Sequence, residues 1–299
     1  MTLRTVVALL VLAVSHAAAQ PNATRMVTVD GHAMRVQVLG LENRQPGRPV
    51  IVLEAGIIQS LDAWLSLPRA LAEIAPVIAY DRAGLGQSAW DNKAPTPRHV
   101  TTRLHNMLQQ VGAEPPYLLV GYSWGGVLVR YFAGYYPNEI AGIVYVDPGP
   151  TVTQSVADNL VPFEAIGAGR AGYDAYWRTF GALFERMSPA GRAEFGAMRS
   201  LMESDLAQRD LRPVPNVPVV LIIAAKYLHL EGIQLPYDTR AHFEADLRHR
   251  IKKLEDWVLS SSRGTLIVSN HTTHAIPRED PDLIVWAVRR VFAHVNAPR

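Results

Sequence analysis

Short apolar runs alternate with longer amphipathic stretches along most of this chain. Residues 26–29 and 34–38 are apolar-rich segments on either side of Asp30-Gly31, a pair that favours a two-residue hairpin turn. Residues 49–53, 77–80, 117–120, 143–146, 217–224 and 265–268 are dominated by Val, Ile, Leu and Tyr and have the length of buried strands. Between them lie stretches with helical spacing. Residues 62–74 carry Trp64, Leu65, Leu67, Leu71 and Ile74, with Pro68 interrupting the pattern. Residues 97–111 end at Gly112, and residues 124–136 end at Pro137. Two further helices are expected over 240–259 and 282–295.

Strands that alternate with helices predict an α/β fold: a mostly parallel central sheet with helices on both faces. One stretch breaks the rhythm. From about 150 to 217 no buried strand is evident, and the helical segments carry large apolar residues such as Phe163, Tyr173, Trp177, Phe180 and Phe184. The expected organisation is therefore a core made of 20–149 and 217–299, with 150–216 inserted as a helical cap. Such a cap would stand over the C-terminal edge of the sheet, where ligands bind in open α/β folds.

Composition narrows the partners and the compartment. Of 299 residues, 48% are hydrophobic and 19% charged, which is a core-rich globular balance. The formal charge of +2, with no basic stripe interleaved with aromatics, makes nucleic acid an unexpected partner. Arg4 followed by the apolar residues 6–14 and by Ala17-Ala18-Ala19 reads as a signal peptide over 1–19, cleaved after Ala19. Its apolar run is too short to span a bilayer. The expectation is export, to a periplasm or the medium, with no stable membrane insertion after cleavage. Cysteine is absent, which removes disulfides and thiolate chemistry.

The apolar run 117–120 leads directly into Gly121-Tyr122-Ser123-Trp124-Gly125 and then into a helical pattern. A strand, G-x-S-x-G and a helix make a nucleophile elbow, and this arrangement resembles the α/β-hydrolase superfamily, specifically its serine esterases and lipases with a helical cap. The resemblance runs from about residue 26 to 295. It includes Asp81-Arg82-Ala83-Gly84-Leu85-Gly86-Gln87-Ser88, similar to the family's glycine-rich turn after its fourth strand; Asp81 and Arg82 read as structural supports near the site. The resemblance implies Ser123 as nucleophile. Serine needs a base, normally histidine, and the base needs a carboxylate to fix its tautomer. The family order of Ser, acid, His points to a histidine after the last strand. His271 and His274 both qualify; His274 is preferred because His274-Ala275-Ile276-Pro277-Arg278-Glu279-Asp280-Pro281 resembles the family's histidine loop.

The acid is less evident. Most relatives place it after the strand that follows the cap, where this chain has Lys226, with Glu231 and Asp238 further along. A minority of the superfamily uses a carboxylate one strand earlier, where Asp147 lies. Asp147 is the first choice, and Glu231 and Asp238 stay open. The oxyanion hole implied by the resemblance uses the backbone N–H groups of Trp124 and Ile57. Ala55-Gly56 stands where many relatives have His-Gly. Two histidines without a carboxylate cluster make a poor zinc site, so neither metal nor cofactor is expected. The function implied is hydrolysis of a small hydrophobic carboxylic ester through an acyl-enzyme. Amide, lactone or C–C hydrolysis on the same residues, or ligand binding without catalysis, are the alternatives. The superfamily's epoxide hydrolases and haloalkane dehalogenases need aspartate at the elbow, and Ser123 argues against both.

Overall fold

A computed structural model describes residues 24–149, 157–203, 210–229 and 231–295. The expected signal peptide lies outside the described residues.

Strands β1 (Thr24–Val29) and β2 (His32–Leu39) form a hairpin in which Val29 pairs with His32. Asp30 and Gly31 both take positive φ, as a tight two-residue turn of this hand requires. The sheet continues with β3 (Val50–Glu54), β4 (Val77–Tyr80), β5 (Tyr117–Tyr122), β6 (Ile140–Val146), β7 (Val219–Ala224) and β8 (Gly264–Ser269). Its order is β1-β2-β4-β3-β5-β6-β7-β8. β1 and β2 run antiparallel to their neighbours and the remaining strands pair in parallel.

The central strands are buried along their whole length because both faces are covered. Successive side chains of β5 point to opposite faces. Tyr117 and Leu119 pack with Leu104 and Met107 of α2 (Pro97–Gln110), Val127 and Leu128 of α3 (Trp124–Tyr135), and Leu254 of a long helix at Thr239–Leu259. Leu118 and Val120 pack on the other face with Leu67 and Leu71 of α1 (Leu67–Ala72) and Ile284 and Val288 of the final helix, Pro281–Val295.

The helix expected over 62–74 forms in two pieces, a 3₁₀ turn at Leu61–Trp64 and then α1. Leu65 between them has φ 51°, which breaks the helical path, and Pro68 enters within the first two positions of α1, where its missing N–H costs nothing. Strand β7 starts at Val219, two residues later than its apolar run suggests, because Pro218 precedes it. β6 begins three residues earlier than its apolar core, at Ile140.

Between β6 and β7 the chain forms α4 (Val161–Glu164), α5 (Gly169–Phe184) and α6 (Pro189–Met202). After β7 the described residues form α7 (Thr239–Leu259), α8 (Ile276–Glu279) and α9 (Pro281–Val295). Among the described residues no helix is long and apolar enough to cross a membrane.

Candidate active site

Ser123 occupies the corner between β5 and α3 with φ 54° and ψ −123°, a conformation that L-residues avoid. Close packing forces it. A Cβ at Gly125 would lie 2.1 Å from the carbonyl oxygen of Glu54, and one at Gly121 would lie 2.5 Å from the carbonyl oxygen of Gly125. Only glycine lets α3 press against the end of β3 in this way. The Ser123 N–H donates to the Val146 carbonyl at 3.0 Å, which ties the corner to the end of β6.

Asp147 follows β6 directly, also with positive φ (42°), and its N–H donates to the Ile222 carbonyl at 2.7 Å. His274 lies in the loop between β8 and α8. Its carbonyl accepts from the Tyr122 hydroxyl at 2.8 Å, and the Tyr122 ring lies 5.1 Å from the imidazole. One residue earlier, Glu279 accepts from both the N–H and the hydroxyl of Thr273, each at 2.7 Å. These two bonds hold the Glu279 carboxyl below its ordinary pKa.

The three side chains meet. Ser123 Oγ is 3.0 Å from His274 Nε2, and His274 Nδ1 is 2.6 Å from Asp147 Oδ2. Asp147 is 2% exposed. Burial alone would raise its pKa, but the charge of Arg250, the bond from His274 and the Ala224 N–H outweigh burial, and the net direction is down. An ionised Asp147 accepts, so Nδ1 carries the proton and Nε2 is left to accept from the serine hydroxyl.

The other candidates sit elsewhere. His271 Nε2 is 2.8 Å from Asp280 Oδ2, and its exposed side chain is not bonded to Ser123. Asp238 caps α7 by accepting from the N–H groups of Arg240 and Ala241 at 2.9 and 3.0 Å. Glu231 is exposed. Lys226 donates its N–H to the Thr272 carbonyl at 3.1 Å, and its exposed side chain stands at the mouth of the site.

The loop after β3 lies against the serine: a Cβ at Gly56 would be 3.3 Å from Ser123 Cβ. The N–H groups of Ile57 and Trp124 donate to no protein acceptor among the described residues. In the absence of a propping histidine, other groups hold this loop. Gln59 Oε1 accepts from the Gly56 N–H at 3.1 Å. Arg82 donates to the carbonyls of Ala55 and Gly56 at 2.8 and 2.6 Å. The Ile58 N–H donates to Glu194 Oε2, on α6, at 2.5 Å. Ile58 has φ 55°, which a β-branched residue keeps only when its surroundings impose it.

Arg82 is the centre of a buried charge cluster. It bonds Glu194 through Nε (2.6 Å) and Nη2 (3.0 Å), and Glu54 through Nη1 (2.7 Å). Tyr80 donates its hydroxyl to the second Glu54 oxygen. Burial pushes Glu54 up, against the pull of Arg82. Burial would lower Arg82, yet the charges of Glu194 and Glu54 prevail and raise it. Arg82 and Asp81 are signalled by their motif, and Asp81 indeed accepts from the N–H groups of Leu61 and Gln87 at 2.7 and 2.8 Å. Glu54 could have been flagged as a charge ending a buried strand. Glu194, Gln59 and Arg250 carry no local sequence signal.

A chamber of about 430 Å³ opens from Ser123 and His274 toward the inserted helices. Phe163, Tyr173, Trp177, Phe195 and Met198 give it an apolar wall. Its size suits a small organic ligand.

A family model for the alpha/beta hydrolase fold matches residues 49–188. The chain is 31% identical over 111 residues to the lipase LipV of Mycobacterium tuberculosis, covering 37% of this chain and 41% of that one. It is 26% identical over 199 residues to epoxide hydrolase A of the same organism, covering 64% and 60%. The chain spans about half the length, or less, of most curated relatives it matches. Among solved structures, Cfl2 from Burkholderia cenocepacia aligns over 90% of this chain and 95% of that one, with a TM-score of 0.59 at 20% identity.

Proposed function

We propose that this chain, whose residues 49–188 match the alpha/beta hydrolase fold model, is a serine hydrolase that cleaves carboxylic esters through an acyl-enzyme. The observation that carries this reading is the unbroken relay from Ser123 Oγ through His274 to the buried Asp147.

In the proposed reaction Ser123 Oγ attacks the ester carbonyl carbon while His274 Nε2 takes the hydroxyl proton. Asp147 stabilises the resulting imidazolium and keeps the ring in its productive tautomer. The carbonyl oxygen becomes negative and receives the N–H groups of Ile57 and Trp124. Collapse breaks the bond to the alcohol, which leaves with the proton from His274. Water then attacks the acyl-serine, activated by the same imidazole, and releases the acid.

The elbow residue favours ester over epoxide chemistry. A serine that opened an epoxide would form an ether, and attack by water at a carbonyl could not release it. An acyl-serine ester is released in that way. The apolar chamber favours a small hydrophobic ester.

Ser123→Ala tests the reading. Turnover of a p-nitrophenyl ester should fall at least about a thousandfold, and a fluorophosphonate should label the parent chain but not the variant. Undiminished turnover in the variant removes Ser123 as nucleophile. A parent chain that resists the label in a folded state favours a ligand binder without catalysis.

A further inference from the structure

We infer that Arg250 is a positioning residue for this site, gripping Asp147 by the carboxylate oxygen that His274 leaves free. The inference rests on the serine-hydrolase reading above.

Arg250 lies on α7, and its side chain is mostly buried. Its Nη1 is 3.2 Å from Asp147 Oδ1, and its Nη2 is 3.4 Å from the Ala224 carbonyl. The Ala224 N–H donates to the same Oδ1 at 3.0 Å, while Oδ2 faces His274. The carboxylate is thus held along one edge by β7 and α7 and presents its other edge to the imidazole. Asp246, one turn earlier on α7, lies 3.2 Å from Arg250 Nε as an ion pair without a hydrogen bond.

An acid carried on the β6 end needs this help. Asp147 sits in a strained backbone conformation and is buried, so an unaided carboxylate there would be free to rotate away from His274. A guanidinium opposite the working edge fixes its plane. The same cation offsets part of the Asp147 charge, so the imidazolium at His274 gains less from Asp147 than it would from an unpaired aspartate. Arg250 therefore orients the acid and shares its charge.

The other charged and titratable groups around His274 and Asp147 do not duplicate this contact. The Tyr122 ring on β5 lies against the imidazole at a tilt of 33°, and Glu279 and Arg278 lie on α8. Lys226 follows β7, and Tyr176 approaches Arg250 from α5. Among the described residues Arg250 is the cation bonded to the Asp147 carboxylate.

The test compares Arg250→Met and Arg250→Lys by kcat/KM against pH, from 5 to 9, on a p-nitrophenyl ester. In the methionine variant the acid limb should move to higher pH by about half a unit or more, because an unshielded Asp147 strengthens the base. Its kcat should fall by about tenfold through looser orientation of the carboxylate. Lysine should return the limb close to its parent position and recover part of kcat. A purely structural arginine would lower stability and leave the limb in place. A folded methionine variant with an unmoved limb, or a lysine variant whose limb follows the methionine one, overturns the inference. If Arg250→Met does not fold, Arg250→Gln, neutral but polar, gives the same reading. Failure of the serine reading is separate, since it shows as persistent activity in Ser123→Ala.

Discussion

Replacing Glu194 by alanine should destabilise the fold and damage the oxyanion loop together. Glu194 accepts three charge-assisted bonds, from Arg82 Nε, Arg82 Nη2 and the Ile58 N–H. Bonds to charged groups contribute about 1.5–3 kcal/mol each, and three that share one carboxylate do not add in full. Removing one partner of a buried pair can cost about 3–5 kcal/mol when the other charge is left alone. Arg82 is not left alone here: Glu54 and the carbonyls of Ala55 and Gly56 still receive it. Losing the second anion also relieves its repulsion of Glu54. The balance is a loss of about 2–4 kcal/mol in urea unfolding at pH 7. The Ile58 N–H would lose its acceptor while the residue keeps an unfavourable φ, so the loop that carries Ile57 should relax away from Ser123. A drop of about tenfold or more in kcat for a p-nitrophenyl ester should accompany the stability loss, since oxyanion donors work only when correctly aimed. Unfolding free energy within about 0.5 kcal/mol of the parent, with kcat unchanged, would refute the view that α6 braces the proposed oxyanion loop.

Three further outcomes follow from the same geometry. Asp147→Asn should lower kcat/KM by about 10³–10⁴-fold, because an amide facing His274 favours the wrong tautomer; a loss under tenfold would return the acid role to Glu231 or Asp238. Because the folded Asp147 pKa is depressed, its stabilisation is present above the ordinary aspartate value of about 3.9 and is lost as pH falls through the folded value. An acid-unfolding series should accordingly find the asparagine variant less sensitive than the parent below about pH 4. Gly125→Ala forces a methyl to within 2.1 Å of the Glu54 carbonyl, so α3 or the end of β3 must move. A destabilisation of about 1–3 kcal/mol in thermal or urea unfolding, with weaker fluorophosphonate labelling, is expected; a variant that folds and labels like the parent would contradict the close packing at the elbow.

The order of strands and helices, the elbow at 121–125 and the late histidine loop are all legible in the chain, because each depends on residues near one another. A parallel strand is a local apolar run, and a tight corner needs glycines at fixed spacing. The contacts of Asp147 were only partly legible. A carboxylate ending β6 stands out, but its selection over Glu231 and Asp238 for contact with His274 depends on a separation of 127 positions closed by the sheet. Asp238 proves to be a helix cap, a local role that its neighbours Thr239 and Arg240 do not by themselves distinguish from a catalytic one.

The covalent chain by itself determined where a strained serine would be presented and which kinds of side chain could serve it. Which of them meet was decided by folding. Glu194 reaches the oxyanion loop across 136 positions, and Arg250 reaches Asp147 across 103. Neither pairing has a periodicity or a spacing to announce it. Buried charges find partners in three dimensions, and the cost of leaving one unpaired selects the arrangement that brings them together.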